Sequence, residues 1–334
     1  MPAFRLLAAG VLVTANVAVA CAAAPVSAAP GPCPSSYVRA VDVATAPQLQ
    51  VALKQAKPGD QIRLADGTYV GNFTSDVPGT ASAPVVICGS SAAVISSGTT
   101  RIGYALHVQD APYTSIYGIT LTNAQKGIVL DNSSHSVVDG VTVHDVGDEG
   151  VHFREATSDS VIRNSSVYNT GLYDPQYGEG IYVGSAKSNW CDYTNCAPDQ
   201  ADRNQVLNNR VGPGVTAEAV DVKEGTTGGT IDGNTFDGSG MTSGTGATSW
   251  VDVKGNSWVI SDNVGHRTLR NGFADSVPLS GWGSDNTFTN NTEYVNARGY
   301  GVLVATSAND VKVTTSNTVY GAASGVSNIA LVSG

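Results

Sequence analysis

Charge is scarce in this chain, and so is everything that builds a helical bundle. Lys, Arg, Asp and Glu make up 14% of its 334 residues, aromatics 7%, and methionine occurs twice. Acidic residues outnumber basic ones, 28 to 18, for a formal charge of −10. With no basic stripe to neutralise phosphates, nucleic acid is not an expected partner. Apolar residues seldom recur at helical spacing, and beyond Val19 no stretch is long and apolar enough to span a bilayer. The Gly-Gly-x-Gly-x-Asp repeats that bind calcium in some β-solenoids are absent as well.

What remains is rich in Gly, Ser, Thr, Asn and Val, and it repeats. Glu218-Ala-Val-Asp221-Val-Lys223-Glu224-Gly225 and Trp250-Val-Asp252-Val-Lys254-Gly255 read almost alike. Neighbouring side chains in a strand point to opposite faces, so Val220, Val222, Val251 and Val253 face inward while Asp221, Lys223, Asp252 and Lys254 face outward. Glu149-Gly-Val151-His152-Phe153-Arg154 and Glu179-Gly-Ile181-Tyr182-Val183 carry the same pattern, and Gly272-Phe273 and Gly301-Val-Leu-Val304 a looser one.

A second ruler agrees. Asn or Asp followed by a small and then an apolar residue recurs at Asp139, Asn164, Asn209, Asn234, Asn263, Asn291 and Asn317, with most gaps 25 to 29 residues. Self-similarity at that period marks a solenoid, and Asn and Asp suit its corners because they tolerate the left-handed turn conformation. The expectation is an all-β, single-domain right-handed parallel β-helix over residues 29–334. The long gap between Asn164 and Asn209 is read as an insertion over about 173–201. Leu49, Leu53 and Ala56, closed by Pro58-Gly59, predict a short N-terminal helix that caps the open end of the core.

Arg5, the apolar run Leu6 to Val19 and the small residues through Ala28 read as a signal peptide over residues 1–28, so a secreted, extracellular protein is expected. Cys21 resembles a lipoprotein acceptor only weakly, because an alanine stands where an apolar side chain is usual. Beyond it Cys33, Cys88, Cys191 and Cys196 are an even number for an oxidising compartment, and their order in the chain favours Cys33 with Cys88 and Cys191 with Cys196.

The run Leu49-Gln-Val-Ala52-Leu53-Lys-Gln-Ala56-Lys57-Pro58-Gly59-Asp60-Gln-Ile62-Arg-Leu64-Ala-Asp66-Gly67-Thr68-Tyr69, then Gly79-Thr80-Ala81 and Pro84-Val85-Val86-Ile87, resembles the opening of the alginate lyase and chondroitinase B family of parallel β-helix polysaccharide lyases. The resemblance implies a calcium-binding glutamate five positions before a catalytic lysine, and Glu218 and Lys223 have that spacing. It also implies a catalytic arginine before a glycine on the next coil. Lys254 before Gly255 stands there instead, with His266, Arg267 or Arg270 as substitutes, and the family's second glutamate falls at Thr216. Stacking of coils would let Glu179, Glu149 and Asp221 supply the missing metal oxygens.

The implied activity is β-elimination on a uronate-containing polysaccharide, and a monomer is expected. It removes the proton beside a carboxylate and expels the oxygen at the β position, which requires that the carboxylate's charge be neutralised by calcium or cationic side chains. A lysine base must lose its proton, yet Glu218, Asp221, Glu224 and Asp252 around Lys223 would hold it on, so the lysine-base reading demands a metal or strong local cations. Lys254, His266, Arg267 and Arg270 complete the expected cationic groove. Its substrate contacts are His152, Arg154, Tyr182, Asp252 and Arg270. Three other readings stay open: a solvated strand face, a glycoside hydrolase using a carboxylate pair such as Glu179 with Glu218 or Asp221 with Asp252, and a non-catalytic carbohydrate-binding solenoid. The Gly-His-Gly and Arg-Ile-Lys signature of polygalacturonases is absent.

Overall fold

Short alternating segments, each too brief to be stable alone, are laid side by side by the turns between them and bury one continuous apolar column. In a computed structural model, which describes residues 33–334 apart from 243, 245, 307 and 309, the strands form three parallel sheets of 11, 10 and 10 strands. The expected signal segment and Cys21 lie outside the described residues. The first sheet runs from Arg39–Val43 to Lys312–Val313, the second from Gly67–Val70 to Thr318–Ala322, and the third from Phe73–Ser75 to Gly325–Ser327. The chain visits the three in turn, one strand of each per coil, and the result is the expected right-handed parallel β-helix.

On the third sheet Leu106, Ile128, Val151, Ile181, Val220, Val251, Phe273 and Val302 stand one above another, all fully buried. At about 25 cal/mol per Å2 of apolar surface, such rows are the main source of stability. The Ala46–Lys54 helix starts at Thr45, whose side chain accepts from the Gln48 N–H, and packs Leu49, Ala52 and Leu53 over the first coil. Cys33 pairs with Cys88 and Cys191 with Cys196, as the order of the cysteines predicts.

The corner after the first sheet carries two adjacent columns rather than one. Gly140, Asn164, Asn208, Gly233, Asp262 and Asn290 form the outer column, each with φ between 51° and 67°. Inside it Asn209, Asn234, Asn263, Asn291 and Asn317 form a buried ladder. Each Oδ1 from Asn234 to Asn317 accepts both the backbone N–H and the Nδ2–H of the asparagine one coil earlier, at 2.8–3.1 Å. Asp139 and Asn164, expected on the same ruler, lie outside the ladder, and Asn164 Nδ2 donates to Asp139 Oδ1 on the outer surface. Ser165 takes the ladder position on that coil, its N–H donating to Asn209 Oδ1.

The insertion expected over 173–201 is not one loop. Ile181–Val183 is a regular strand of the third sheet in its midst, pairing with Val151–Arg154 and Val220–Val222. The extra residues therefore form two projections, one on either side of that strand. The second contains the short helix Trp190–Tyr193, anchored by Trp190 Nε1 donating to the Ser185 carbonyl.

Candidate active site

Three outward rows of the third sheet hold most of the expected site residues. Lys126, Glu149, Glu179 and Glu218 form the row at the strand entrances, stacked by the amides of Gly127, Gly150 and Gly180 donating to the carbonyls of the glutamates one coil on. These glycines are needed for close approach: a Cβ on Gly127, Gly150 or Gly180 would lie 2.4–2.7 Å from the carbonyl oxygen of the next coil. His152, Tyr182, Asp221 and Asp252 form the central row in direct register. Beyond them lie Asp131 and Arg154 and, farther along, Lys223 and Lys254.

Asp221 is the centre of this array. Lys223 Nζ lies 2.7 Å from its Oδ2 and Lys254 Nζ 2.5 Å from its Oδ1, while Lys254 also reaches Asp252 Oδ2 at 2.8 Å. Burial raises the Asp221 carboxyl, but the two ammoniums outweigh it and hold it below the usual carboxylate range. Burial likewise opposes the charges of Lys223 and Lys254, and Asp221 overcomes it and raises both above an ordinary lysine. Lys223 Nζ sits 4.9 Å from the centroid of the Tyr182 ring. Burial first, then Asp221 and Glu179, raises the Tyr182 hydroxyl well above its ordinary range, so the phenol keeps its proton.

Glu179, Glu218 and Asp221 offer carboxylate oxygens all within 4.8 Å of one another. Burial and then Asp221 push Glu218 up to about 7, and burial with Asp221, Glu149 and Glu218 raises Glu179 well above its ordinary value. Glu179 Oε2 is buried with no hydrogen-bond partner. A hard-oxygen set with crowded negative charge and an orphaned oxygen fits a cation such as calcium. Asp221 already carries an ammonium on each oxygen, so Glu179 and Glu218 are the donors free to take a cation first.

Other expected residues have different partners. Glu149, expected as a metal ligand, is neutralised by Lys126 at 2.6 Å and faces His152 Nδ1 at 3.6 Å. Burial raises its carboxyl, but His152 and Lys126 outweigh that and lower it to about 2. His152 lies beneath the following loop with Nε2 donating to the Gly184 carbonyl at 2.9 Å. Burial lowers its pKa although Glu149 opposes this. Arg154 is forked onto Asp131 at 2.6 and 2.8 Å, with the Tyr193 ring 4.3 Å from its guanidinium carbon.

His266 and Arg267 are not brought to this sheet. His266 belongs to the Val264–His266 strand of the second sheet, where it stacks on Tyr294, and Arg267 pairs with Asp237 outside the same sheet. His266 ends and Arg267 follows a strand of another sheet, so closeness in sequence to Lys254 does not become closeness in space. Arg270 is exposed just before the third-sheet strand Phe273–Asp275. Trp250 and Trp258 are fully buried and line no groove.

Sequence reasoning passed over Lys126, Asp131, Tyr193 and His107, whose Nε2 lies 2.7 Å from Asp131 Oδ2 on the third sheet. Lys126-Gly127-Ile128 follows the same plan as Glu149-Gly150-Val151 with the charge reversed, a signal that was readable. Tyr193 reaches the site through the fold of its loop, which no repeat encodes.

Residues 81–206 match the family model described as a right-handed beta helix region. The crystal structure of an alginate lyase from Paenibacillus sp. str. FPU-7 is similar, with 43% sequence identity and a TM-score of 0.83, covering 89% of this chain and 99% of that one. The crystal structure of pectate lyase Pel9A shares the fold at 20% identity and a TM-score of 0.63, covering 86% of this chain and 78% of that one. Pectate lyase PEL9 of Emericella nidulans is 28% identical over 145 residues, which is 38% of this chain and 35% of that protein, so the alignment spans about a third of the curated relative. With that fold, that charged sheet face and 43% identity over nearly the whole of a solved lyase, the chain belongs to the parallel β-helix polysaccharide lyases.

Proposed function

We propose that the protein is a secreted lyase that cleaves alginate by β-elimination on the third sheet, with Lys223 as the base. The observation that carries this reading is the convergence of Lys223 and Lys254 on Asp221 beside Glu179 and Glu218. In a chain of net charge −10 it concentrates ammoniums where an acidic sugar must dock. Alginate is favoured over other uronates because the Paenibacillus relative, similar along nearly its whole length, is an alginate lyase.

The Lys223 and Lys254 side chains keep 14% and 13% of their surface exposed while Asp221 beneath them keeps 2%, so the ammoniums are the part of the site a sugar reaches first. Lys254 stays with Asp221 and Asp252 and meets the substrate carboxylate. Lys223 takes the proton from the carbon beside that carboxylate, the electron pair becomes the new double bond, and the bond to the β oxygen breaks. Tyr182, which keeps its proton, returns one to the departing oxygen.

Glu179 and Glu218, with Asp221, would hold calcium. Bound there, the ion would take up the negative charge that otherwise keeps Lys223 protonated. The two disulfides and the lack, among the described residues, of any helix long and apolar enough to cross a membrane accord with an oxidising extracellular setting.

The test is incubation with alginate, pectate, glucuronan and glycosaminoglycans, with calcium or chelator, following absorbance from the new double bond. A calcium-dependent rise on alginate that is lost in Lys223→Ala supports the reading. Reducing ends without absorbance would move the chemistry to a carboxylate pair.

A further inference from the structure

The arginines of this chain divide sharply. Six of them, Arg39, Arg63, Arg154, Arg163, Arg203 and Arg267, are paired with aspartates. Among the described residues four have no ion pair: Arg101, Arg210, Arg270 and Arg298. Arg210 begins a strand of the second sheet. The other three are exposed and share one edge of the third sheet, each within three residues of the start of a strand: Arg101 before Tyr104–Gln109, Arg270 before Phe273–Asp275 and Arg298 before Tyr300–Val304.

Their positions bracket the site. Along the sheet the order is Tyr104–Gln109, Lys126–Asp131, Val151–Arg154, Ile181–Val183, Val220–Val222, Val251–Val253, Phe273–Asp275, with the Asp221 centre between the outer members. At about 4.8 Å per strand the outer members lie roughly 29 Å apart, the span of several sugar units.

At the near end the guanidinium of Arg101 lies 5.3 Å from the ring centroid of Tyr173, which is itself half exposed. Tyr173 is fixed by its N–H donating to the Gly147 carbonyl at 2.9 Å, two residues before Glu149. Tyr177 and Leu172 of the same projection are also exposed. A guanidinium resting on an aromatic ring is already ordered and keeps its N–H edge for a carboxylate. The edge is continuous with the row of Glu149, Glu179 and Glu218.

We infer that Arg101, held on Tyr173, and Arg270 with Arg298 at the far end are outlying subsites that grip the carboxylates of one polyuronate chain on both sides of the cleavage point. The chain lies along the solenoid axis, and cleavage is internal. This rests on the lyase reading of the same sheet and extends it to the substrate's length and direction.

The test compares Arg101→Ala, Arg270→Ala and Arg298→Ala with wild type on alginate polymer and on alginate trisaccharide, reading unsaturated product at low and high salt. Each variant is expected to raise KM on polymer by about two- to fivefold at low salt, with kcat held, little change on trisaccharide, and the difference fading at high salt. A Tyr173→Ala variant is expected to follow Arg101→Ala. If the variants change trisaccharide and polymer equally, or neither, the subsites are refuted while the lyase stands. If wild type releases no unsaturated product from either substrate, the lyase reading itself falls and the subsites with it.

Discussion

Lys254 Nζ lies 2.5 Å from Asp221 Oδ1, one coil away, and the same ammonium reaches Asp252 at 2.8 Å. A lysine here stands where the family resemblance implies an arginine. Its single charged nitrogen bridges two stacked aspartates as a point charge, which a planar guanidinium would do with different spacing. Lys254→Arg is therefore expected to lower kcat/KM on alginate at least tenfold although the charge is conserved, measured beside a thermal melt to show that the fold survives.

Asp221 is buried between two ammoniums, and its removal leaves both charges without their shared partner. Asp221→Asn is expected to cost about 3–5 kcal/mol in denaturant unfolding, more than most single changes in a protein of this kind.

Glu293 faces the core from the second sheet, and neither of its oxygens has a hydrogen-bond partner. Burial alone pushes it up to about 8 from an unfolded value near 4.5. The folded state thus holds a proton that the unfolded state has lost, so stability falls as pH rises from about 4.5 to about 8. Glu293→Gln is expected to flatten that fall and to raise the melting temperature at pH 8 with little change at pH 4.5. A wild-type melting profile that rises through this window would contradict it.

Calcium held by Glu179 and Glu218 should stabilise the fold by mass action. Millimolar calcium is expected to raise the melting temperature of wild type, and Glu218→Gln to abolish the rise without unfolding the protein. Calorimetric titration with calcium alone gives a second readout, independent of activity.

In the asparagine ladder Asn263 accepts from Asn234 and donates to Asn291 and to the Ile231 carbonyl, all in the buried interior. Asn263→Ala leaves several of these groups unsatisfied and is expected to cost about 2–4 kcal/mol in denaturant unfolding.

The strand alternation around Asp221 and Asp252 made the third sheet and its central row legible in the sequence, because inward valines must stack. It also put Asp221, Lys223, Asp252 and Lys254 on one surface, whereas Glu218 shares the parity of the inward Val220 and was singled out by its family spacing to Lys223. The pattern could not tell which of three sheets a strand joins, and so His266 and Arg267 were expected where the chain has already turned a corner. The asparagine ruler slipped at Asn164 because outer and inner corner columns are adjacent and both favour asparagine, one for its left-handed backbone and the other for its amide, and at Asp139 because that residue ends its strand one position before the outer column. The two projections around Ile181 were merged into one because the strand between them is only three residues long. The partners of Glu149 and Arg154 depend on rotamers and on a loop from another coil, which spacing in a linear chain does not carry.

The bare corner at Gly127, Gly150 and Gly180 has a consequence for what this surface can become. With no side chain between coils, the entrance row behaves as a comb whose teeth are charges and whose pitch is set by backbone contact alone. The next two corners carry Ala219 and then Trp250, so the comb stops there. Substituting a tooth can change the sign or strength of the field at the entrance without moving the others. Substituting a glycine of the spine would spread the teeth apart, and no change of charge could then restore the spacing.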